Sequence, residues 1–177
     1  SPKPQTTRNR ILAVKTNPGF QMIFLDTPGI HQAKGNLNLA MVRTALATLA
    51  TVDLILFLVE AHSPSNQSNQ AVFEALQNVE TQTLLVVNKI DLVSEESRAR
   101  IDERFQGLHQ LKGSAHISAL HGTGIDDLIA QIVPLLPMGP AYYPEDTLTD
   151  LPARFFFAEI IRVKIMHLTS EVIPYKV

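Results

Sequence analysis

Two uninterrupted apolar runs, "DLILFLVE" at 53–60 and "TLLVVNK" at 83–89, limit what this chain can fold into more than any other feature. Neither alternates polar with apolar residues, and both are rich in β-branched and long aliphatic side chains, the pattern of a strand buried on both faces of a parallel sheet. Between them, "NQSNQAVFEALQNV" sets Val72, Leu76 and Val79 on one face of a helix. After the second run Ser94 is placed to cap a helix, with Glu95 and Glu96 in its first turn and Ile101, Phe105 and Leu108 facing the core. A short strand at "AHISA" and a helix through "GIDDLIAQIV", stopped by Pro134 and Pro137, follow. Upstream, "RILAVKT" and "FQMIFL" read as a hairpin turning at Asn17-Pro18-Gly19, and "NLNLAMVRTALATLATVD" as a helix carrying Leu39, Val42, Leu46 and Leu49. Strand and helix alternate throughout, which predicts an α/β fold with a mostly parallel sheet, right-handed crossovers and helices on both faces.

With 177 residues, 45% of them hydrophobic, the chain can bury one core and begin a second. The formal net charge of −2 gives no global basic excess for nucleic acid or anionic lipid. Cysteine is absent, which excludes disulfides and thiolate metal sites and agrees with a reducing cytoplasm. No apolar run reaches membrane-spanning length, so the chain reads as soluble. The six histidines show no metal-ligand spacing, and none is assigned a role, His31 included. From Pro137 to Pro152 four prolines fall in a stretch without periodicity, read as a linker, and "ARFFFAEIIRVKIMHLTS" beyond it opens a new helix. The chain starts without Met and ends inside an apolar alternation, so both ends are expected to lie within a longer protein.

Ligands of parallel α/β sheets bind beyond the carboxyl ends of the strands, and three polar signatures fall there. "DTPG" follows the apolar run ending at Leu25: Asp26 suits a water-mediated hold on Mg²⁺, and Gly29 lets a backbone N–H approach a γ-phosphate. "VVNKID" follows a buried strand, and the Asp91 carboxylate can accept both the ring N–H and the amino group of guanine, which adenine does not offer. Asn88 can brace that loop and contact the base, and the Lys89 stem can cover its face. At Ser118-Ala119 a backbone N–H can meet the guanine carbonyl oxygen. In "QTTRN", Thr6 and Thr7 offer hydroxyls to the same Mg²⁺, although a solvated loop has the same composition.

"QTTRN", "DTPG", "NKID" and "ISA", in this order and at α/β spacing, resemble the Era family of translation-factor-like GTPases. The resemblance implies a P-loop-NTPase-like fold followed by the beginning of an α+β KH domain. Residues 1–136 would be the GTPase domain, 137–152 the linker and 153–177 the N-terminal part of the KH domain. It further implies GTP/GDP and Mg²⁺ as ligands, with Thr7 and Asp26 on the metal. Asp26, Thr27, Pro28, Gly29 and Ile30 would lie along the nucleotide phosphates. Asn88, Lys89, Ile90 and Asp91 would read the base, and Ser118 and Ala119 would complete the base contact. No catalytic side chain is assigned. The implied partners are small-subunit ribosomal RNA and the ribosomal subunit whose assembly the protein would assist. A cytoplasmic monomer, with peripheral membrane association at most, completes the picture.

Two departures qualify these expectations. No G-x-x-x-x-G-K-[ST] loop occurs in the 177 residues, so the chain as it stands is expected to bind GTP poorly and not to turn it over. No GxxG clamp of a KH domain occurs after residue 152 either. In addition Ile30 stands where Ras-like proteins place a water-orienting Gln, so hydrolysis is expected to be slow unaided. Two alternatives stay open at this point: a related GTPase acting in RNA modification or at membranes, and a degenerate GTPase-like interaction module.

Overall fold

The computed structural model describes residues 11–26, 49, 51–149 and 161. The chain divides into two units, one of Ser1–Gly29 with Pro140–Val177 and one of Ile30–Gly139. In the first unit, β1 (Ile11–Asn17) and β2 (Phe20–Asp26) pair antiparallel, from Ile11 opposite Asp26 to Asn17 opposite Phe20. Pro18 and Gly19 make the turn, and Gly19 has φ 92°, a conformation that side chains with a Cβ avoid. The stretch expected to be a linker is tied to this hairpin between residues 142 and 149. Val14 N–H donates to Leu148 O at 2.8 Å, and Thr149 Oγ1 to Leu12 O at 2.6 Å. Gln21 is saturated: its Oε1 accepts from Tyr142 N–H (2.8 Å) and Tyr143 N–H (2.9 Å), while its Nε2 donates to Tyr143 O (2.9 Å) and Thr16 Oγ1 (3.0 Å).

The second unit holds a three-stranded parallel sheet of order β3-β4-β5, with β3 Ile55–Glu60, β4 Thr83–Asn88 and β5 Leu111–His116. The central strand β4 is buried from Thr83 to Val87, as its unbroken apolar run predicts. β3 departs from expectation. Ile55, Phe57 and Val59 are buried but Leu58 is 55% exposed, because among the described residues β3 has one neighbouring strand and one covered face. β5 begins at Leu111, earlier than "AHISA" suggests, and stops at His116, so Ile117, Ser118 and Ala119 lie beyond the strand. The Lys112-Gly113 dipeptide disguises its start; pairing with the buried β4 overrides that poor propensity.

Three helices are described whole: α1 (Gln67–Leu76), α2 (Glu95–Phe105) and α3 (Ile125–Ile132). Asn66 caps α1 by accepting from Asn69 N–H at 2.8 Å. Ser94 holds the N-cap position of α2, but its hydroxyl lies 3.2 Å from Ser97 Oγ and caps no backbone N–H. A 3₁₀ turn over Val133–Leu135, containing Pro134, ends α3. Leu76 of α1 and Ile101 and Phe105 of α2 pack on Phe57, Leu85 and Val87, and the Phe105 ring meets Phe57 edge-on at 5.4 Å and Phe73 at 5.7 Å. Each such side chain contributes about 1.5–3 kcal/mol by leaving water. Strand alternation sends Leu84 and Val86 to the opposite face, where they too are buried. Of the helix expected around Leu39 to Leu49, only Leu49 is among the described residues before Thr51; it is helical and packs on this core. Of residues 153–177 only Ile161 is described. No helix among the described residues is long and apolar enough to cross a membrane.

The entry to α3 depends on one close approach. Gly124 precedes the helix at φ 73°, and a Cβ there would stand 2.2 Å from His116 O. Gly122 has the same φ but open space around it. Gly122→Ala should therefore cost only the left-handed conformation, about 1–2 kcal/mol. Gly124→Ala must also move backbone and should cost roughly 3 kcal/mol or more. Urea unfolding of the two variants measures the difference, and equal midpoints would contradict it.

Candidate functional site

Past the sheet, the strand ends stay bonded to one another. Ala61 N–H donates to Asn88 O at 2.8 Å, Ile117 N–H to Val87 O at 2.8 Å, and Ile90 N–H to Ile117 O at 3.2 Å. On this base Asn88 extends a side chain whose Oδ1 accepts from Lys89 N–H at 2.7 Å and from Ala119 N–H at 3.0 Å. One carbonyl oxygen thus joins the loop after β4 to the loop after β5.

Lys89 has φ 62° and ψ 39°, and among the described residues no other non-glycine has positive φ. That conformation costs about 1–2 kcal/mol for an L-residue. It turns the chain sharply into a 3₁₀ turn, Ile90–Leu92, that buries Ile90 and leaves Asp91 at the surface. Arg98 of α2 steadies the turn by donating to Ile90 O at 3.0 Å. The Lys89 ammonium pairs with Glu60, the register partner of Asn88 at the end of β3, and the second Glu60 oxygen lies 3.4 Å from His62 Nε2.

Beyond β5, Ser118 and Thr123 pair across a tight loop: Ser118 N–H donates to Thr123 O at 3.0 Å, and His121 N–H to Ser118 O at 3.1 Å. The two backbone donors expected to meet a guanine oxygen, those of Ser118 and Ala119, are therefore both engaged within the protein. The Ser118 side chain is buried, and its hydroxyl faces Asp91 without closing a hydrogen bond of ordinary length. That hydroxyl is the largest influence holding the Asp91 carboxyl below its usual range; partial burial opposes it, and the residue's own N–H, His121 and Lys89 add to the lowering. His121 Nε2 stands 3.9 Å from Asp91 Oδ2. Asp91 is thus an ionised double acceptor, open on one side and fixed on the other.

Asp26 is placed as the last residue of β2, in the hairpin unit. Thr6, Thr7, Thr27, Pro28, Gly29 and Ile30 lie outside the described residues. Among the described residues no group of three or more His, Asp or Glu converges as a metal site. Glu60, His121 and Thr123 belong to this end of the sheet and were not singled out from sequence. Glu60 carried a usable signal, since an acid closes "LILFLVE" just as Asp26 closes "QMIFLD".

The lowered Asp91 carboxyl has a consequence for stability. A depressed folded value means that its contribution is present above the ordinary value of 3.8 and is lost as pH falls through the lowered one. Carboxyl-carbon NMR should show Asp91 titrating below 3.8, and Ser118→Ala should move it upward. An unshifted midpoint in Ser118→Ala would remove the hydroxyl from this role.

The pattern of a family described as 50S ribosome-binding GTPase matches residues 1–89. GTPase Era of Geotalea uraniireducens is 48% identical over 178 aligned residues, covering 100% of this chain and 60% of that protein. GTPase Era of Carboxydothermus hydrogenoformans is 44% identical, covering 100% of this chain and 59% of that protein. The chain thus spans about three fifths of the length of the curated relatives it matches. Among solved structures, Era in complex with MgGDPNP and nucleotides 1506–1542 of 16S ribosomal RNA superposes with a TM-score of 0.86 at 38% identity, covering 98% of this chain and 60% of that one. A variant of Aquifex aeolicus Era bound to GDP and AlF4− gives 0.84 at 37% identity, with 98% and 60% covered. The α/β arrangement is that of the P-loop GTPases, the Era proteins are the relatives it resembles along its whole length, and the chain belongs to the 50S ribosome-binding GTPase family.

Proposed function

We propose that this chain supplies the base-recognising part of a GTP-hydrolysing protein that binds small-subunit ribosomal RNA and assists assembly of that subunit. The observation that carries the proposal is Asp91, an ionised carboxylate on a turn braced through Asn88 at the carboxyl end of a buried strand. Guanine offers its ring N–H and amino group side by side, and two carboxylate oxygens accept both. Adenine offers no such pair. Ile90 anchors the turn in the core, the Lys89 stem covers one face of the base, and Ser118, buried beside Asp91, completes the base contact together with Ala119.

For the phosphates, Gly29 presents a backbone N–H after Asp26, Thr27 and Pro28, and Ile30 follows without a hydrogen-bonding group. Thr7 and Asp26 offer the hard oxygen donors that suit Mg²⁺, which when bound neutralises charge on the β- and γ-phosphates. The domain plan that fits this reading is a GTPase domain over 1–136, a linker over 137–152 and the start of a KH domain over 153–177. The Era structure determined with 16S ribosomal RNA supports the ribosomal partner. Kinship with GTPases along the whole chain favours this reading over a degenerate interaction module. A cytoplasmic monomer is the matching state of the protein.

Since no G-x-x-x-x-G-K-[ST] loop occurs in the sequence, the 177-residue chain alone should show no GTP turnover, whereas the chain extended ahead of Ser1 by such a loop should. Turnover by the short chain, abolished by Asp26→Ala, would overturn this.

Base choice is the sharper test. In the extended chain ATP should compete with GTP worse by on the order of 10⁴-fold, because it would leave the Asp91 charge unpaired. Asp91→Asn replaces an acceptor by a donor that opposes the guanine amino group but suits the xanthine carbonyl, so preference should move from GTP toward XTP. Competition binding of the three nucleotides measures this, and unchanged GTP selectivity would separate Asp91 from the base.

A further inference from the structure

We infer that Glu60 is a positioning residue for nucleotide binding: it holds the Lys89 side chain across the end of the sheet as the platform on which the base rests. This rests on the assignment of the turn 88–91 to the guanine base. Three observations converge on it. Lys89 adopts a left-handed backbone that a lysine takes only at a cost, so the direction of its side chain is imposed by its surroundings. Its ammonium is caught by Glu60 Oε1, and Glu60 is the register partner of Asn88, so both ends of the stem are fixed to adjacent strand termini. The second carboxylate oxygen is steadied from the other side by His62 at 3.4 Å.

The pair is too exposed to matter for folding, with side chains 41% and 45% accessible, and exposed pairs of this kind add little to stability. What it supplies is order. A free lysine samples many rotamers, and a base settling on it would have to restrict them. With the ammonium tethered, the four-carbon stem is already laid out before the nucleotide arrives.

The test is a double-mutant cycle on the chain extended by a phosphate loop, reading the dissociation rate of GDP. Glu60→Ala should speed dissociation about tenfold, with the urea midpoint unchanged, and Glu60→Gln, which keeps the shape and a carbonyl acceptor, should show a smaller change in the same direction. Lys89→Met keeps an apolar stem without the charge, so combining it with Glu60→Ala should add almost nothing to either loss. Losses that multiply, or dissociation within twofold of the parent in both Glu60 variants, overturn the proposal. Asp91→Asn in parallel separates the two levels. If it abolishes GDP binding while the Glu60 variants bind normally, the base site stands and the role of Glu60 falls. If it leaves GDP binding untouched, both fall. In the 177-residue chain itself, NMR should show the two Lys89 ε-methylene protons distinct in the parent and averaged in Glu60→Ala; identical spectra count against the tether.

Discussion

The side-chain oxygen of Asn88 is the contact on which the ordering of this site depends. β4 is buried on both faces, so its last residue inherits the rigidity of the core. Asn88 passes that rigidity outward in two directions, to the backbone of Lys89 and to that of Ala119. The loop beyond β5 is otherwise joined to β4 and its turn only at Ile117, through Val87 O and Ile90 N–H, and past Ile117 its backbone bonds are internal, between Ser118 and Thr123 and between His121 and Ser118. Without the shared acceptor, the loops carrying Asp91 and Ser118 would be joined by the backbone at Ile117 alone, and the hydroxyl would face the carboxyl less steadily.

The chain makes two tight corners around this contact, and it makes them differently. At Gly124 the corner is steric: His116 O leaves no room for a side chain. At Lys89 a residue with a Cβ is held in left-handed backbone between Asn88, whose Oδ1 accepts its N–H, and Ile90, buried in the core. Strain of that kind persists where surrounding contacts over-determine a residue. The first corner fixes the fold, and the second orients a side chain.

Much of this was legible in the amino-acid sequence because burial leaves a direct trace there. The hairpin with its Pro18-Gly19 turn, the wholly apolar β4 and the helices around Leu76 and Phe105 follow from periodicity. Features set by neighbours rather than by local composition were not legible. Leu58 looks like its buried neighbours in "LILFLVE" yet is exposed, on a strand that among the described residues has one neighbouring strand. The start of β5 is hidden by Lys112 and Gly113, which pairing with β4 carries into the strand. That the Ala119 N–H is taken by Asn88, and that Lys89 reaches Glu60, depends on residues 31 and 29 positions apart in sequence meeting at strand ends, which no local pattern reports.

The saturated amide of Gln21 sets an order of assembly during synthesis. Its partners Tyr142 and Tyr143 lie 121 and 122 residues downstream, whereas the α/β unit is the contiguous stretch Ile30–Gly139. A ribosome adding about 5–20 residues per second leaves the hairpin waiting for roughly ten seconds before those partners leave the exit tunnel. Over that interval β1 and β2 are a two-stranded ribbon whose Gln21 amide has Thr16 but neither tyrosine as a partner, a form that is marginal alone in water. The contiguous unit can complete its core first, and the contact between the β1–β2 hairpin and Tyr142 and Tyr143 closes afterwards, over a loop more than a hundred residues long.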